Sequence, residues 1–370
     1  MRALFLRLKP FTYIFLLLAI LPNIALADIT IRLLTWEGYA PDNQVAKFEA
    51  LMVKKHQLKI KMVITYITSP DDYFNNIRRG EVDIIAPSHN IIKDERYKLL
   101  SQNLLLPINL DKIPNYSKIL PALQNAEYAT QGNNVYHVPL VHGPYGLAYN
   151  TAKFATAPDS WTIFWDKSYQ GKYAVGSDYP EVNVYVAALA EGFTKNDLTD
   201  VSKLSSPAMR TRLATLIKNA GVLWEGVDSA EEFQKLFFGT AWGFSFPALL
   251  EKGQTWKMAT PKEGTTGWVD GHSLTNVLAG RARHKEIAEE WINFTLSDDF
   301  QLEAIVKGIG SAPVNTAIKD RLTVDEISQF HMDDPDYFKN NIILWPTLNT
   351  RQRNFFKLLW NDALKESKAM

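Results

Sequence analysis

The first third of the chain alternates between strand-like and helix-like spacing of its hydrophobic residues. Residues 29–34 alternate and then become apolar, as a strand does, and residues 58–67 form a second such run. Between them, residues 45–55 carry apolar side chains at helical spacing. A second helix is predicted over 69–80, and a short buried strand follows over 82–86. This strand–helix–strand–helix–strand order predicts a parallel α/β lobe.

The same alternation returns in the second half of the chain. Ser229-Ala230-Glu231-Glu232 has the capping-box pattern that opens a helix. No Ser/Gly-rich linker and no internal repeat separates the two halves, so we expect two lobes joined by structured crossings, which suits a hinge. The pattern predicts strands over 172–175, 240–244 and 273–278, and helices over 181–191, 284–296 and 298–307.

Two predicted loops follow the carboxyl ends of strands in the first lobe. Residues 36–39 come after the first strand, and residues 88–90 come after the third. In open α/β sheets, ligands bind beyond the carboxyl ends of the strands. We therefore expect both loops to lie at the same edge of the lobe.

The size and composition of the chain agree with two globular lobes. It has 370 residues, of which 46% are hydrophobic and 22% are charged, and a domain usually has roughly 100–200 residues. Its 40 Lys and Arg residues balance its 40 Asp and Glu residues, which argues against a nucleic-acid-binding protein. The absence of cysteine excludes disulfides, thiolate chemistry, Cys-ligated zinc and a lipid anchor on cysteine.

Residues 1–27 have the composition of a secretory signal peptide. They contain three basic residues and no acid, an apolar run over 11–21, and an Ala-Leu-Ala site at 25–27. A membrane anchor is the alternative, but the apolar run is shorter than the ~20 residues of a spanning helix. Cleavage after Ala27 would leave 37 bases and 40 acids, a net charge of −3. We expect an exported, soluble protein in the periplasm of a Gram-negative bacterium.

The sequence carries no recognisable catalytic or metal-binding motif. The seven His residues form no H-x-x-x-H or H-E-x-x-H pair, and there is no G-x-S-x-G elbow, P-loop or G-x-G-x-x-G loop. We therefore expect no catalytic residue, no metal site and no cofactor. An exported hydrolase stays open as a remote alternative, because the distance between two carboxylates cannot be read from the sequence.

Aromatic residues and acids recur together at predicted strand ends and loops. Taken singly, each signal is weak, because most Trp residues belong to cores and an acid at a helix start complements the helix dipole. Together, aromatic faces that attract ammonium groups by ~0.5–2 kcal/mol and carboxylates that accept charge-assisted hydrogen bonds suit an aliphatic polyamine. A carbohydrate-binding protein, which also uses Trp and acids, is an alternative. The segments are Trp36-Glu37-x-Tyr39, Asp178-x-x-Glu181, Trp242 and Trp268-x-Asp270.

A series of longer segments matches a known family in order and spacing. The segments are residues 34–39, 80–88, 138–139, 146–150, 160–172, 261–270 and 291–297. In these segments the chain resembles the bacterial spermidine/putrescine-binding family of periplasmic solute receptors, over nearly the whole mature length. The resemblance implies a two-lobed α/β periplasmic binding protein of type II-like topology, with crossed connections and a ligand cleft between the lobes. We expect lobe 1 to combine 28–140 with 270–318, lobe 2 to combine 141–269 with 319–370, and the protein to be a monomer.

The resemblance also implies roles for individual residues in the cleft. The first lobe would supply aromatic, hydroxyl and polar contacts, and Asp270 would grip a terminal ammonium. Two further acids would bind an amine, and two Trp rings would sandwich the methylene chain. The residues with these roles are Trp36 and Tyr39 (wall and hydroxyl), Ser88 (polar contact), Asp178 and Glu181 (acids), and Trp242 and Trp268 (sandwich).

Several positions depart from the family pattern. Glu37 stands where a small hydroxyl residue is frequent, and a cleft-facing Glu37 would make four acids, which favours a triamine over a diamine. His89 and Asn90 stand where an aromatic residue is common, as does His142, and Pro180 replaces an Arg. A cleft-facing His would add pH sensitivity, but a packed or surface His is the simpler interpretation.

The resemblance allows two outputs of ligand-driven closure. One is delivery to an ABC permease for uptake. The other is docking on an inner-membrane signalling receptor, as in family members that sense norspermidine and control biofilm formation through cyclic-di-GMP. The altered cleft positions and the absence of a lipid anchor favour the sensor, with a norspermidine- or spermidine-like ligand.

Overall fold

The computed structural model describes residues 29–67 and 69–370, so the expected signal peptide lies outside the described residues. The described residues form mixed α/β structure. The strands are β1 (Ile29–Thr35), β2 (Ile60–Tyr66), β3 (Ile84–Ile85), β4 (Leu105–Leu106), β5 (Thr130–Gln131), β6 (Asn134–Val135), β7 (Val138–Asn150), β8 (Tyr173–Gly176), β9 (Val222–Trp224), β10 (Phe238–Ala241), β11 (Trp256–Met258), β12 (Thr265–Thr275), β13 (Ala312–Pro313) and β14 (Ile342–Leu344).

The helices follow the predicted order. The helix over Asp71–Arg79 is followed by Gly80, which takes the left-handed conformation (φ +69°) that favours glycine, and Ser229 forms the expected capping box with Glu232. Within the described residues, no helix combines the length and apolar character needed to cross a bilayer. The helices are α1 (Asp42–His56), α2 (Asp71–Arg79), α3 (Pro180–Ala190), α4 (Val201–Leu204), α5 (Pro207–Asn219), α6 (Ala230–Phe233), α7 (Phe246–Glu251), α8 (Ala282–Thr295), α9 (Asp298–Phe300), α10 (Lys307–Ile309), α11 (Val324–Gln329), α12 (Tyr337–Asn341) and α13 (Thr350–Ala369), with a π-helical segment (Gln301–Val306) between α9 and α10.

One large sheet runs through the molecule, in the order β2-β1-β3-β12-β7-β10-β8-β9. At one end, β1 pairs in parallel with β2 and β3. At the other end, β8 pairs in parallel with β9 and β10. The long antiparallel pair β7 and β12 joins the two ends, with Gly143 opposite Trp268. The chain therefore crosses between the two parallel regions through strands of a single sheet.

The β7–β12 pair contains a β-bulge. Asp270 and Gly271 of β12 pair with Val141 and Pro139 of β7, which leaves Leu140 without a partner on β12. A bulge of this kind bends the strand and changes the direction of nearby side chains. Here it lies directly beside Asp270.

The extra residue of the bulge is held from a helix instead. The Leu140 carbonyl oxygen accepts a hydrogen bond from Nε2 of Gln301 at 2.9 Å. The same Gln301 side chain is buried, and its Oε1 accepts from the N–H of Val314 at 2.9 Å. The bulge is thus satisfied by the π-helical segment rather than by the sheet.

Two hydrophobic cores flank the β7–β12 pair. One is built from β8, β10, α3, α5 and α13, and it fully buries Trp224 and Trp360. The other is built from β1, α1 and α8, and it fully buries Trp291. The rings of Trp242 and Trp345 pack against both cores. These two residues therefore lie where the two halves of the molecule meet.

Two local predictions were wrong. The strand expected over 273–278 begins at Thr265, so Trp268 and Asp270 lie inside β12 and not in a loop. The strand expected over 240–244 ends at Ala241, so Trp242 lies just after β10. Strand β12 is buried along its whole length, and such a strand lacks the alternation that marks a half-buried one.

Candidate functional site

The candidate site centres on the buried carboxylate of Asp270. The Tyr39 hydroxyl donates to its Oδ2 at 2.7 Å, and the Ser88 hydroxyl donates to its Oδ1 at 2.5 Å. Tyr39 lies in the loop after β1, and Ser88 follows β3 and forms a β-bridge with Asp270. The prediction that these two loops lie at one edge of the sheet is confirmed.

Burial decides the electrostatics of this carboxyl group. Asp270 is 4% exposed, and burial raises its pKa to about 6, although the hydrogen bonds from Ser88 and Tyr39 act to lower it. A buried carboxylate without a cation nearby is costly, because it has lost its hydration. An ammonium group placed beside Asp270 would offset that cost.

Two of the predicted Trp walls are in contact with each other. The rings of Trp242 and Trp268 have centroids 6.5 Å apart and an interplanar angle of 78°, so they meet edge to face and are not parallel. Trp268 is buried against Gly143, where a Cβ atom would come within 2.8 Å of its ring. Trp36 is half-buried between the packed side chains of the first lobe.

Trp242 is held by an acid that the sequence analysis did not single out. The buried Asp228 carboxylate accepts from the backbone N–H groups of Trp242, Gly243 and Ser245, at 2.8, 3.3 and 2.9 Å. Burial raises the pKa of Asp228, and these hydrogen bonds act against that rise. No sequence pattern marks such a role, because every residue except proline carries a backbone N–H.

Asp178 and Glu181 lie at the start of α3, near Trp242 in that Tyr179 between them packs on its ring. Asp178 is exposed, and its Oδ2 accepts from the N–H of Gly226 at 2.8 Å. Glu181 is half-buried, and burial raises its pKa, while its own backbone N–H and the charges of Arg96 and Arg353 act to lower it. The pair therefore combines one exposed acid with one partly desolvated acid.

Tyr179 lies between these two acids in the chain, and its hydroxyl donates to the Gly226 carbonyl at 3.2 Å. Its ring packs on Trp242, with centroids 4.9 Å apart. Burial raises the pKa of the Tyr179 hydroxyl, and the negative charges of Asp178, Glu181 and Asp270 raise it further. Acids from both halves of the molecule thus act on one hydroxyl group. The sequence analysis missed Tyr179, although it lies between two singled-out residues.

Glu37 is placed apart from this group. Its side chain is exposed, whereas Asp270 is buried. The structure therefore brings together Asp270 with Tyr39, Ser88, Trp268 and Trp242 and does not bring Glu37 into contact with them. Of the four acids that the sequence singled out, Glu37 is therefore the one without support as a ligand contact.

The two histidines at unusual family positions differ in exposure. His89 is buried between Trp345 and Val269, whereas His142 is half-buried at the wall of a cavity, with its ring edge to face on Phe338. Burial lowers the pKa of His89 to about 4 and that of His142 to about 4. Both are therefore neutral at neutral pH, and His89 agrees with the simpler interpretation of a packed histidine.

Trp345 is a further aromatic residue at the site that the sequence analysis missed. It follows β14, and its backbone N–H donates to the Gly267 carbonyl at 3.1 Å. Its ring contacts Trp242 with centroids 5.6 Å apart. The available signal was an aromatic residue followed by Pro346 directly after a short apolar run.

Comparisons with known proteins agree with this architecture. A solved structure described as a putative spermidine/putrescine ABC transporter of Listeria monocytogenes overlaps with a TM-score of 0.70 at 20% identity, covering 90% of this chain and 98% of that one. A spermidine/putrescine ABC transporter substrate-binding protein of Streptococcus pneumoniae overlaps with a TM-score of 0.74 at 17% identity, covering 92% and 99%. The predicted two-lobed α/β binding-protein fold is confirmed by these overlaps.

The sequence comparisons identify the family. A curated spermidine/putrescine-binding periplasmic protein of Haemophilus influenzae is 24% identical over 304 residues, which cover 80% of this chain and 79% of that protein. The family model for bacterial extracellular solute-binding proteins matches residues 81–341. The prediction of a binding protein rather than an enzyme agrees with this match. The chain belongs to the bacterial extracellular solute-binding protein family.

Proposed function

We propose that this protein is a periplasmic polyamine receptor that anchors one ammonium group of its ligand at Asp270. The observation that carries the proposal is the buried Asp270 carboxylate, which is held by Tyr39 and Ser88. It lies two residues along β12 from Trp268, whose ring contacts that of Trp242. A preformed, desolvated carboxylate with aromatic neighbours is complementary to an alkylammonium ion. The names of the relatives, which bind spermidine and putrescine, support the same ligand class.

The second end of the ligand would be bound by Asp178 and Glu181. Both begin α3, and Tyr179 between them packs on Trp242. A ligand that runs from Asp270 past Trp242 toward these acids would place its methylenes on aromatic surface. Without Glu37, the acids assigned to the ligand are Asp270 at one end and Asp178 and Glu181 at the other. We still propose spermidine or norspermidine rather than putrescine as the preferred ligand, because these three carboxylates carry the charge to balance three ammonium groups.

Closure of two lobes around the ligand would be the output. We propose lobes formed by 28–140 with 270–318 and by 141–269 with 319–370, turning about the β7–β12 crossing. The two separate cores on either side of that pair support two lobes, although Val141, Trp268, Val269 and Phe338 pack in the first-lobe core. The ligand would bind both lobes and so favour the closed state.

Two partners could recognise the closed state in the periplasm. The relatives named as ABC transporters support delivery to a permease. The unusual cleft positions are compatible with docking on an inner-membrane receptor that controls cyclic-di-GMP and biofilm formation. Deletion of the gene tests the two outputs: loss of labelled spermidine uptake favours the permease, and normal uptake with altered biofilm favours the sensor.

Calorimetry tests the ligand class directly. Protein stripped of ligand by unfolding and refolding is titrated with putrescine, cadaverine, spermidine and norspermidine. We expect micromolar or tighter binding of the triamines and weaker binding of the diamines. Glucose and maltose serve as controls for the carbohydrate alternative. The absence of heat with all four amines would refute the proposed function.

A further inference from the structure

His89 joins two parts of the site through its two ring nitrogens. The backbone N–H of Val269 donates to His89 Nδ1 at 3.3 Å, and His89 Nε2 lies 2.9 Å from the carbonyl oxygen of Trp345. Since Nδ1 is the acceptor, the proton of the neutral ring is on Nε2, which donates to Trp345. Val269 lies between Trp268 and Asp270 in β12, and His89 follows Ser88 directly. The His89 side chain thus links Trp345 to the group formed by Asp270, Tyr39 and Ser88, which we call the Asp270 centre.

Trp345 begins the segment that leads to the C-terminal helix. The residues after it make further contacts with the stretch that follows Ser88. The Thr347 hydroxyl lies 3.4 Å from the Asn90 carbonyl, and Arg353 Nη1 donates to both oxygens of Asp94 at 3.0 and 3.1 Å. His89 is the first of these three connections and the one nearest to Asp270.

The C-terminal helix itself belongs to the opposite core. Helix α13 packs on α5 and α3, and Glu181 lies in the first turn of α3. The contacts of residues 89–94 with residues 345–353 therefore tie the first-lobe loop at Ser88 to a helix of the second lobe. A change in the position of Trp345 would therefore alter the site at both ends of the proposed ligand, at Asp270 and at Glu181.

We propose that His89, as its Nε2–H tautomer, is a positioning residue that fixes Trp345 against Trp242 and so ties the C-terminal helix to the Asp270 centre. An imidazole suits this role because it accepts from one backbone group and donates to another across a rigid ring. A phenol ring at this position would present a single hydroxyl and would not make both contacts. The affinity part of the inference rests on the proposed function, and the structural part does not.

The test uses two variants that each keep one half of the imidazole. In His89→Gln the amide N–H reaches the position of Nε2, and in His89→Asn the amide oxygen occupies the position of Nδ1. We expect His89→Gln to keep spermidine affinity within about twofold. We expect His89→Asn and His89→Ala to lose roughly fivefold, the value of one hydrogen bond to a positioned carbonyl. Asn354→Ala, at an exposed position of α13, is the control and should leave the affinity within about twofold.

A distance measurement separates positioning from binding. The chain has no cysteine, so Leu51→Cys on α1 and Leu358→Cys on α13, both exposed, allow specific spin labelling. In ligand-free protein, we expect one narrow distance for the parent and His89→Gln, and a broadened distribution for His89→Asn. If His89→Ala does not fold, the Gln and Asn variants carry the test.

The outcomes are distinct. A narrow distribution in His89→Asn, or equal losses in the Gln and Asn variants, would refute the role of His89. Failure of the parent protein to bind spermidine would instead refute the proposed function, and the distance measurement would still decide the positioning role.

Discussion

The hydroxyl oxygen of Tyr39 lies 2.7 Å from a carboxylate oxygen of Asp270, although 231 positions separate the two residues in the chain. This bond joins the loop after β1 to the middle of β12. With Ser88 on the other oxygen, the carboxylate is oriented by hydroxyl donors on both sides. Because a carboxylate offers about four acceptor positions, lone pairs remain for a ligand. This orientation supports the proposal that Asp270 anchors a cation.

Replacement of Asp270 by Asn should weaken spermidine binding by at least tenfold, about 1.4 kcal/mol. The charge that pairs with the ammonium is removed, while the shape of the side chain is kept. Calorimetry provides the measurement. Glu37→Gln removes an exposed acid from the neighbouring loop and is the control, with an expected change of less than about twofold. Equal affinities of the Asp270→Asn and parent proteins would remove Asp270 from the site.

The same variant should be more stable than the parent protein in the absence of ligand. Burial makes the pKa of Asp270 higher in the folded than in the unfolded state, so this carboxyl group stabilises the folded protein at low pH. That stabilisation is lost as the pH rises from about 4 to about 6. At pH 7 the parent holds a buried charge that Asn lacks, and Tyr39 and Ser88 can rotate their hydroxyls to suit an amide. We expect a gain of about 1–3 kcal/mol in the free energy of unfolding. Denaturation at pH 4, where the gain should disappear, is the check.

Affinity should fall as the pH is lowered through 6. The pKa of free Asp270 is about 6, and a bound ammonium favours the ionised carboxylate, so binding below this pH releases a proton. Besides Tyr39 and Ser88, the groups that interact with Asp270 are Tyr73 and Tyr179, which remain neutral in this range. Titrations at pH 5 and pH 7 should differ by up to tenfold in the parent and less in Asp270→Asn. Identical pH profiles for both proteins would contradict this.

Asp228→Asn should loosen the turn that carries Trp242. An amide has one acceptor oxygen, so its NH₂ group must face at least one of the three backbone N–H groups that Asp228 now satisfies. We expect a loss of about 1–3 kcal/mol in stability, together with weaker spermidine binding and altered Trp fluorescence. Asp200→Asn is the control, because Asp200 caps α4 and Asn is an equally good N-cap. Unchanged affinity in Asp228→Asn would show that the turn does not position a binding residue.

Gly143→Ala should displace Trp268. A Cβ atom at this position would lie 2.8 Å from Cζ2 of the Trp268 ring, which is closer than carbon atoms tolerate. Overpacking of this kind costs about 1–3 kcal/mol. We expect reduced stability and reduced spermidine affinity, measured by thermal unfolding and calorimetry. Retention of the parent affinity would indicate that the Trp268 ring does not contact the ligand.

The parallel α/β order and the meeting of the Tyr39 and Ser88 loops were predictable because they depend on strand order and on local spacing. The role of Asp270 came from the family resemblance, and its place inside β12 was not predicted. The carboxyl ends of parallel strands meet at one edge, which brings the Tyr39 and Ser88 loops together wherever they lie in the sequence. Asp228 was not predictable, because it acts on backbone groups that carry no sequence signal. Trp345 was missed because its place depends on the pairing of β14 with β12, and two or three residues are too few to show a strand period.

The bulge at Leu140 has a mechanical consequence. At this point Leu140 has no partner on β12, and its carbonyl is bound by Gln301 from outside the sheet. Because the strand pairing is interrupted here, bending of the β7–β12 pair should concentrate at this joint. The stiffness of the joint then depends on a buried amide that belongs to neither strand. A Gln301→Leu protein should accordingly open through a wider angle.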